Sequence, residues 1–360
     1  MDNILIITSG TGGHVYPGIA LASELRHANY NPVFIANDVA NSVSLNIVKQ
    51  SGYDYELLNF YAPPRKISIK LLLFPITFIK SMFQANSIIN KIKPKVVIGM
   101  GAYLSVPVLI VAKFKQIPTM IHEQNSIPGL ANKFLSKFVN KVAISFKNSS
   151  KYFCPLKTVY ISNPVRKDIF NISRKEACKK LGLDSNIFTV FVFGGSLGAV
   201  KLNNIVFNTA EKLYAGYKDK IQFIHITGDK YYEEFKIKYD IIHHKKYITP
   251  YMHDIGNAYA CSDLVIGRAG AGAVKEVEMY KLKAVFVPFP FATDNHQYFN
   301  AKSVEKNGYV YVIEEKHLKE ETLIEIIEKN IDNKIDENRI VSPEVFPQEK
   351  LLTEVLKLIK

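Results

Sequence analysis

Short apolar runs alternate with longer amphipathic ones along this chain, and the alternation runs through twice. Residues 3–8 (N-I-L-I-I-T) are an unbroken apolar run of strand length. They enter a glycine turn, Ser9-Gly10-Thr11-Gly12-Gly13-His14, followed by helical spacing over 15–26 with Pro17 in the first turn, where proline is tolerated. Further strands are predicted at 32–35, 54–58, 96–99, 119–122, 142–145 and 158–161. Between them, 67–82 (I-S-I-K-L-L-L-F-P-I-T-F-I-K-S-M) is intensely apolar and interrupted by Pro75, with a separate helix expected to end near Lys93. Ser162-Asn163-Pro164-Val165-Arg166 reads as a turn and hinge. The alternation then restarts, with strands at 187–193, 221–227, 246–248, 264–266, 284–287 and 309–313, and an amphipathic tail over 344–360.

Strand–helix alternation of this kind builds parallel sheets with right-handed crossovers. The expected fold is therefore α/β, with two Rossmann-like doubly wound domains facing across a cleft. Residues 1–163 form the first and 164–342 the second, and a C-terminal helix over 343–360 packs back on the first. Glycine loops recur at strand carboxyl ends, at 9–14, 99–105, 194–199 and 267–272. Loops there line the ligand crevice of an open α/β sheet, and the helix N-termini that follow them favour an anion such as phosphate. Neither the P-loop spacing nor the dinucleotide fingerprint is present.

The stretch 266–300 carries most of the candidate chemistry. A helix starting at Ala273 puts Glu276 in its first turn, where a carboxylate suits a sugar diol. The polar turn Thr293-Asp294-Asn295 is expected to cap a helix bearing His296, Gln297 and Asn300. In the first half, His14 at the mouth of its glycine loop is a candidate general base. Glu123, at the end of a strand, is a second candidate for catalysis. With no D-x-D sequence and no H-x-x-x-H pair, a metal-held nucleotide is not suggested. A diphosphate would be neutralised by N–H groups and by Arg166 or Arg268.

Charge adds a partner to this picture. The net charge is +13, yet residues 57–160 alone hold 15 Lys and Arg against one acid, Glu123, so the basic balance sits in one block. The apolar run at 67–82 lies inside it, flanked by Arg65, Lys66, Lys70 and Lys80. That run is shorter than the ~20 residues of a membrane span, and a basic-rimmed apolar segment suits an anionic bilayer interface. Nucleic acid is the competing anionic partner. The three cysteines, Cys154, Cys178 and Cys261, show no C-x-x-C spacing and fit a reducing cytosol. The start Met1-Asp2-Asn3-Ile4 reads as a first strand, not a signal peptide.

Seven motifs, in order, resemble the MurG family of peptidoglycan N-acetylglucosaminyltransferases. They are T-G-G-H-V-Y-P-G-I-A-L-A (11–22), G-M-G-A-Y-L-S-V-P (99–107), H-E-Q-N (122–125), N-P-V-R (163–166), G-G-S-L-G-A (194–199), R-A-G-A (268–271) and H-Q-x-x-N-A (296–301). The resemblance covers almost the whole chain. It implies a GT-B fold and an inverting transfer, with no cofactor required, of GlcNAc from UDP-GlcNAc to the muramoyl 4-hydroxyl of undecaprenyl-diphospho-muramoylpentapeptide (lipid I), giving lipid II. It further implies donor contacts at Thr11, Gly12, Gly13, Asn125, Arg166, Ser196, Met252, Ala271, Gly272, Ala273, Val274, Lys275, Glu276 and Gln297. Of these, Glu276 would hold the ribose, Gln297 the sugar and Met252 the uracil. Acceptor and membrane contacts are expected at Tyr103, Lys70, Leu72, Leu73, Phe74, Phe78 and Lys80, peripherally on the cytoplasmic face of the cell membrane and with no nucleic acid partner. Departures from the family pattern occur at Ala273, Leu197, Ser9, Ala102, Ser162 and Gly267, each of which puts one contact in doubt. The alternative is an isomerase of the same fold, a UDP-GlcNAc 2-epimerase, which needs no lipid.

Overall fold

The computed structural model of the chain describes residues 1–10, 12–38, 43–60, 69–195, 198–306, 308–333 and 335–359. They form two units, Met1–Arg166 with Val345–Lys360, and Lys167–Glu344. Arg166 therefore belongs to the first unit, three residues beyond the boundary read from the Asn-Pro turn.

Unit 1 alternates β1 (Asn3–Ile7), α1 (Gly12–His27), β2 (Asn31–Asn37), α2 (Val43–Gln50), β3 (Asp54–Leu58), α3 (Ile69–Ile92), β4 (Val96–Gly99), α4 (Ser105–Phe114), β5 (Thr119–Glu123), α5 (Leu130–Leu135), β6 (Lys141–Ile144) and β7 (Thr158–Tyr160). The strands lie in the order β3-β2-β1-β4-β5-β6-β7 and every pair is parallel. Alternate residues of β1 serve opposite layers. Ile4 and Ile6 pack with α1 and α2, whereas Leu5 and Ile7 pack with α3, α4 and α5. A strand covered on both faces is apolar throughout, which is why these runs stand out in the sequence.

One element departs from its prediction. The interfacial segment and the separate helix form a single helix, α3, that continues through Pro75. Phe74 and Phe78 stack at 6.0 Å and each packs 5.9 Å from Phe60, so the helix is anchored on both sides of the proline. The missing N–H of Pro75 is tolerated because this packing fixes the flanking turns.

Unit 2 continues with α6 (Arg174–Lys180), β8 (Phe188–Phe193), α7 (Val200–Tyr217), β9 (Ile221–Ile226), α8 (Tyr232–Asp240), β10 (Lys246–Thr249), α9 (Ile255–Cys261), β11 (Leu264–Gly267), α10 (Ala271–Tyr280), β12 (Lys283–Phe286), α11 (His296–Glu305), β13 (Val310–Val312) and α12 (Glu320–Ile331). Its strands run β10-β9-β8-β11-β12-β13, again all parallel. The fully buried Arg174 of α6 donates to both Asp263 oxygens (3.0 and 2.8 Å) and to the carbonyls of Ser185 and Ile187. A buried guanidinium is stable only when paired and hydrogen-bonded in this way, and here it fixes α6 against the starts of β8 and β11. The last helix, α13 (Pro347–Ile359), returns to unit 1. Leu351 and Val355 enter the α1 core, and Glu354 pairs with Lys141 at the start of β6.

In each sheet the strand order reverses at one place, between β1 and β4 and between β8 and β11. Register brings the carboxyl ends level there, with Ile7 beside Gly99 and Phe193 beside Gly267. The loops leaving these strand ends part to opposite sides, which opens a ligand crevice.

Candidate active site

At the unit 1 crevice, α1 begins at Gly12, earlier than the glycine turn suggested, so His14 stands in the first helical turn. Its Nδ1 lies 2.9 Å from the Met100 carbonyl oxygen. A carbonyl only accepts, so Nδ1 carries the hydrogen and Nε2 carries the lone pair. The same carbonyl accepts from Gln124 Nε2 at 2.7 Å. The second Gln124 amide hydrogen points to His122 Nδ1 at 3.2 Å, and His122 Nε2 in turn reaches Ser145 Oγ at 2.9 Å. Ser145 Oγ donates to Asn163 Oδ1 at 3.2 Å. Burial, aided by the nearby His14, lowers the His122 pKa to about 3, so its imidazole is neutral and its donor and acceptor sides are distinct. The result is a buried chain with one donor direction, from Gln124 through His122 and Ser145 to Asn163 Oδ1, while the other Gln124 amide hydrogen rests on the carbonyl that orients His14.

Gly101 makes room for this junction. Its φ is +86°, and a Cβ there would lie 2.5 Å from Gln124 Oε1 and 3.0 Å from His14 Nδ1. Only glycine meets both conditions. Arg166 is brought to the same helix end, its guanidinium 4.7 Å over the ring of Tyr16 in α1. Gly12 and Gly13 lie beside it in the first turn, with backbone N–H groups of the kind that bind anions. Thr11 lies outside the described residues.

Glu123 is buried and faces elsewhere. One carboxylate oxygen accepts from the Asn125 N–H at 2.8 Å, the other from Gly129 N–H at 3.2 Å and Asn132 Nδ2 at 2.8 Å. It thereby closes the loop between β5 and α5. Strand alternation explains the division of labour, since His122 enters the His14 network while Glu123 projects to the α5 side. Asn125, expected at the donor, also directs its backbone N–H into this clamp.

In unit 2, α10 starts at Ala271, two residues earlier than predicted, which puts Glu276 in the second turn. Gly270 is the N-cap and makes no side-chain capping bond. The space beside Gly270 and Gly272 is open, so the first N–H groups of α10 can be approached closely. Val274 is buried with its N–H donating to the Gly270 carbonyl at 3.0 Å, and Lys275 pairs with Glu278 at 3.0 Å, so both are engaged within the protein. Glu276 is half-buried, and its Oε2 accepts from the buried Tyr259 hydroxyl at 2.8 Å. Tyr259 is itself packed between Phe191 and Tyr280, at 5.4 and 5.3 Å, so the carboxylate is held on a rigid support. Met252 is buried after β10, and Ser196 lies outside the described residues.

Three expectations are corrected here. Arg268 donates to the carbonyls of Val287 and Pro288 and pairs with Glu315, so its charge is engaged within the protein and not offered to a diphosphate. Asp294 and Asn295 adopt φ of 51° and 53°, and Asn295 caps α11 without a side-chain bond, so the turn is formed by left-handed backbone. On α3, Phe74 and Phe78 face inward on Phe60, while the outward stripe is Leu73, Ile76, Ile79 and Phe83, joined by Phe114 of α4. Lys80 is exposed beside that stripe and Tyr103 is partly buried under α4. The side chains of Lys70 and Leu72 lie outside the described residues. The space at Gly267, one of the departures from the family pattern, is filled by the Phe193 ring, 2.7 Å from where a Cβ would sit. Gln297, in the first turn of α11, accepts from the Phe289 N–H at 3.0 Å through Oε1.

Two parallel-sheet units, each with a glycine loop and helix N-terminus at the point where strand order reverses, define the GT-B fold. The crystal structure of Acinetobacter baumannii MurG is similar throughout, with a TM-score of 0.75 and 24% identity over 99% of this chain and 100% of that one. The chain belongs to glycosyltransferase family 28: its N-terminal domain matches residues 4–144 and its C-terminal domain residues 189–345. It is 37% identical to the UDP-N-acetylglucosamine–N-acetylmuramyl-(pentapeptide) pyrophosphoryl-undecaprenol N-acetylglucosamine transferase of Halothermothrix orenii, over 91% of this chain and 90% of that one. A UDP-GlcNAc 2-epimerase from Neisseria meningitidis shares the fold alone, at 10% identity and a TM-score of 0.65 over 99% and 100% of the two chains.

Burial pushes the Glu123 carboxyl from 4.5 up to about 7, against the pull of the Asn125, Asn132 and Gly129 donors. Between these values the unfolded chain has lost a proton that the folded chain keeps, so stability falls as pH rises through the window. The effect is on the order of 3 kcal/mol. Glu123→Gln does not titrate. The stability of the wild type relative to this variant, read from denaturant midpoints, should therefore decline from about pH 5 to about pH 8. A difference that stays level or grows contradicts the assignment.

Proposed function

We propose that this chain is an inverting transferase that moves GlcNAc from UDP-GlcNAc to the muramoyl 4-hydroxyl of lipid I, giving lipid II for peptidoglycan synthesis. The observation that carries the reading is His14, whose Nδ1–H is held by the Met100 carbonyl so that Nε2 is the basic nitrogen of the ring. In a single displacement the acceptor hydroxyl passes its proton to Nε2 while its oxygen bonds to the sugar C1. The bond from C1 to the diphosphate breaks, UDP leaves with the electron pair, and the configuration at C1 inverts. The leaving charge is met by the uncapped N–H groups of Ala271, Gly272 and Ala273 and by the dipole of α10, with Arg166, Gly12 and Gly13 as further anion contacts. This reading requires no metal. Glu276 accepts from the ribose hydroxyls, Gln297 donates to the sugar, and Met252 borders the uracil. Thr11, Asn125 and Ser196 complete the donor contacts.

Glu123 is the second choice as base, and its buried clamp on the β5–α5 loop favours His14. For the acceptor, the reading places the lipid carrier at the outward stripe of α3 and α4. Ile79, Met82, Phe83, Val111 and Phe114 line a hollow there together with Lys115, and Lys80 and Lys113 are exposed on the same two helices. No described helix is long and apolar enough to cross a membrane. A stripe this apolar with a basic rim suits peripheral binding to an anionic bilayer. The three free thiols, Cys154, Cys178 and Cys261, fit the reducing cytoplasmic side.

Two measurements test this. Incubation with UDP-GlcNAc should release UDP only when a lipid I analogue is added. Release without acceptor, absence of release with it, or formation of UDP-ManNAc from donor alone contradicts the transferase reading. In cosedimentation, the protein should bind vesicles of anionic phospholipid and leave neutral ones largely unbound. Ile79→Ser with Phe83→Ser should weaken that binding by about tenfold or more, given ~1.5–3 kcal/mol for each buried apolar side chain. Unchanged vesicle binding by the double variant would show that α3 is not the contact.

A further inference from the structure

After β12 the chain runs Pro288-Phe289-Pro290-Phe291-Ala292 and turns two aromatic rings outward. Phe291 is 83% exposed and Phe289 41%, and the rings meet edge to face at 5.7 Å. Their loop is rigid. The Phe289 N–H donates to Gln297 Oε1, Ala292 N–H to the Phe289 carbonyl at 3.1 Å, and Asn295 N–H to the Ala292 carbonyl at 2.9 Å. The Arg268 guanidinium lies 5.5 Å from the centre of the Phe289 ring and is itself held by the carbonyls of Val287 and Pro288 and by Glu315. Two prolines fix the backbone further. This explains the position of Arg268, which supports the loop from beneath. It does not explain why a phenyl group as large as Phe291 is held in water on a braced loop.

The neighbourhood supplies a reason. The loop leaves the carboxyl end of β12, next to β11 and the open N-terminus of α10. Asn300 Nδ2 ties α11 to the Ala269 carbonyl at 3.3 Å, which joins the two loops into one rim. Gln297 sits at the base of that rim, its Oε1 tied to the Phe289 N–H and its amide nitrogen a further polar group of the turn. A pyranose has hydroxyl groups around its edge and C–H groups on its faces. Sites for such ligands combine a few placed polar groups with an aromatic plane. Phe291 in the loop and Gln297 in the first turn of the helix that follows it offer these two elements.

We infer that Phe291 is a specificity-determining residue that stacks on the hexosamine ring of the donor, an inference that rests on the UDP-GlcNAc reading above. The ring contacts the sugar and not the nucleotide, so its removal separates the two ligands. By calorimetric titration, Phe291→Ala should weaken UDP-GlcNAc about threefold to tenfold and leave UDP affinity unchanged. Phe291→Tyr should restore the wild-type value. In turnover, Phe291→Ala should raise KM for UDP-GlcNAc with kcat little altered, and its melting temperature should match the wild type because the side chain is exposed. Equal UDP-GlcNAc affinity in Phe291→Ala and wild type overturns the inference, as does equal weakening of both ligands or a change confined to the acceptor KM. A wild-type protein that does not bind UDP-GlcNAc overturns the donor reading itself.

Discussion

One carbonyl oxygen, that of Met100, accepts hydrogen bonds from His14 Nδ1 and Gln124 Nε2 together. The chemistry proposed for unit 1 depends on that shared acceptor. It fixes which imidazole nitrogen has the lone pair, and the Gln124–His122–Ser145–Asn163 chain holds it in place from behind. The sheet in turn dictates where this can happen. Met100 follows β4 directly, His14 lies one loop beyond β1, and Gln124 follows β5. Only a sheet that sets the ends of these three strands side by side brings the three residues to one point.

Unit 2 applies the same constraint to a different end. The reversal between β8 and β11 leaves the N-terminus of α10 uncapped, and α9 supplies Tyr259 to hold Glu276. Arg174 and Asp263, deep in the unit, fix the opposite ends of the same strands. Rigid packing below the crevice and unsatisfied N–H groups at its mouth are two results of one topology. A buried ion pair is weak evidence for stability, but here it sets the geometry on which the binding loops rest.

Much of the fold was legible in the sequence. Parallel strands covered on both faces are continuous apolar runs, and glycine loops punctuate their ends, so both sheets could be read. The candidate residues of both crevices were also legible, because they sit in short motifs at strand ends. What could not be read is where side chains point. H-E-Q-N drew attention to Glu123 and Asn125, whereas the network to His14 passes through His122 and Gln124. Strand alternation separates the two sets, but burial on both sides of the strand hides which face is which. On α3 the outward residues Leu73, Ile76, Ile79 and Phe83 do follow helical spacing. Pro75 obscured it by suggesting two segments where packing on Phe60 makes one. Arg268 looked like an anion partner because charge is visible in sequence and its intraprotein acceptors, some of them tens of residues away, are not.

The central claim is that His14 acts on the acceptor proton and is not needed to hold the donor. Its most direct test compares His14→Ala with the wild type in two measurements on the same protein, acceptor-dependent UDP release and UDP-GlcNAc affinity. Removal of a general base costs on the order of a hundredfold to ten-thousandfold in rate. The account predicts a loss of that size in turnover with donor affinity largely retained. Turnover near the wild-type level would remove His14 from the mechanism and contradict the account.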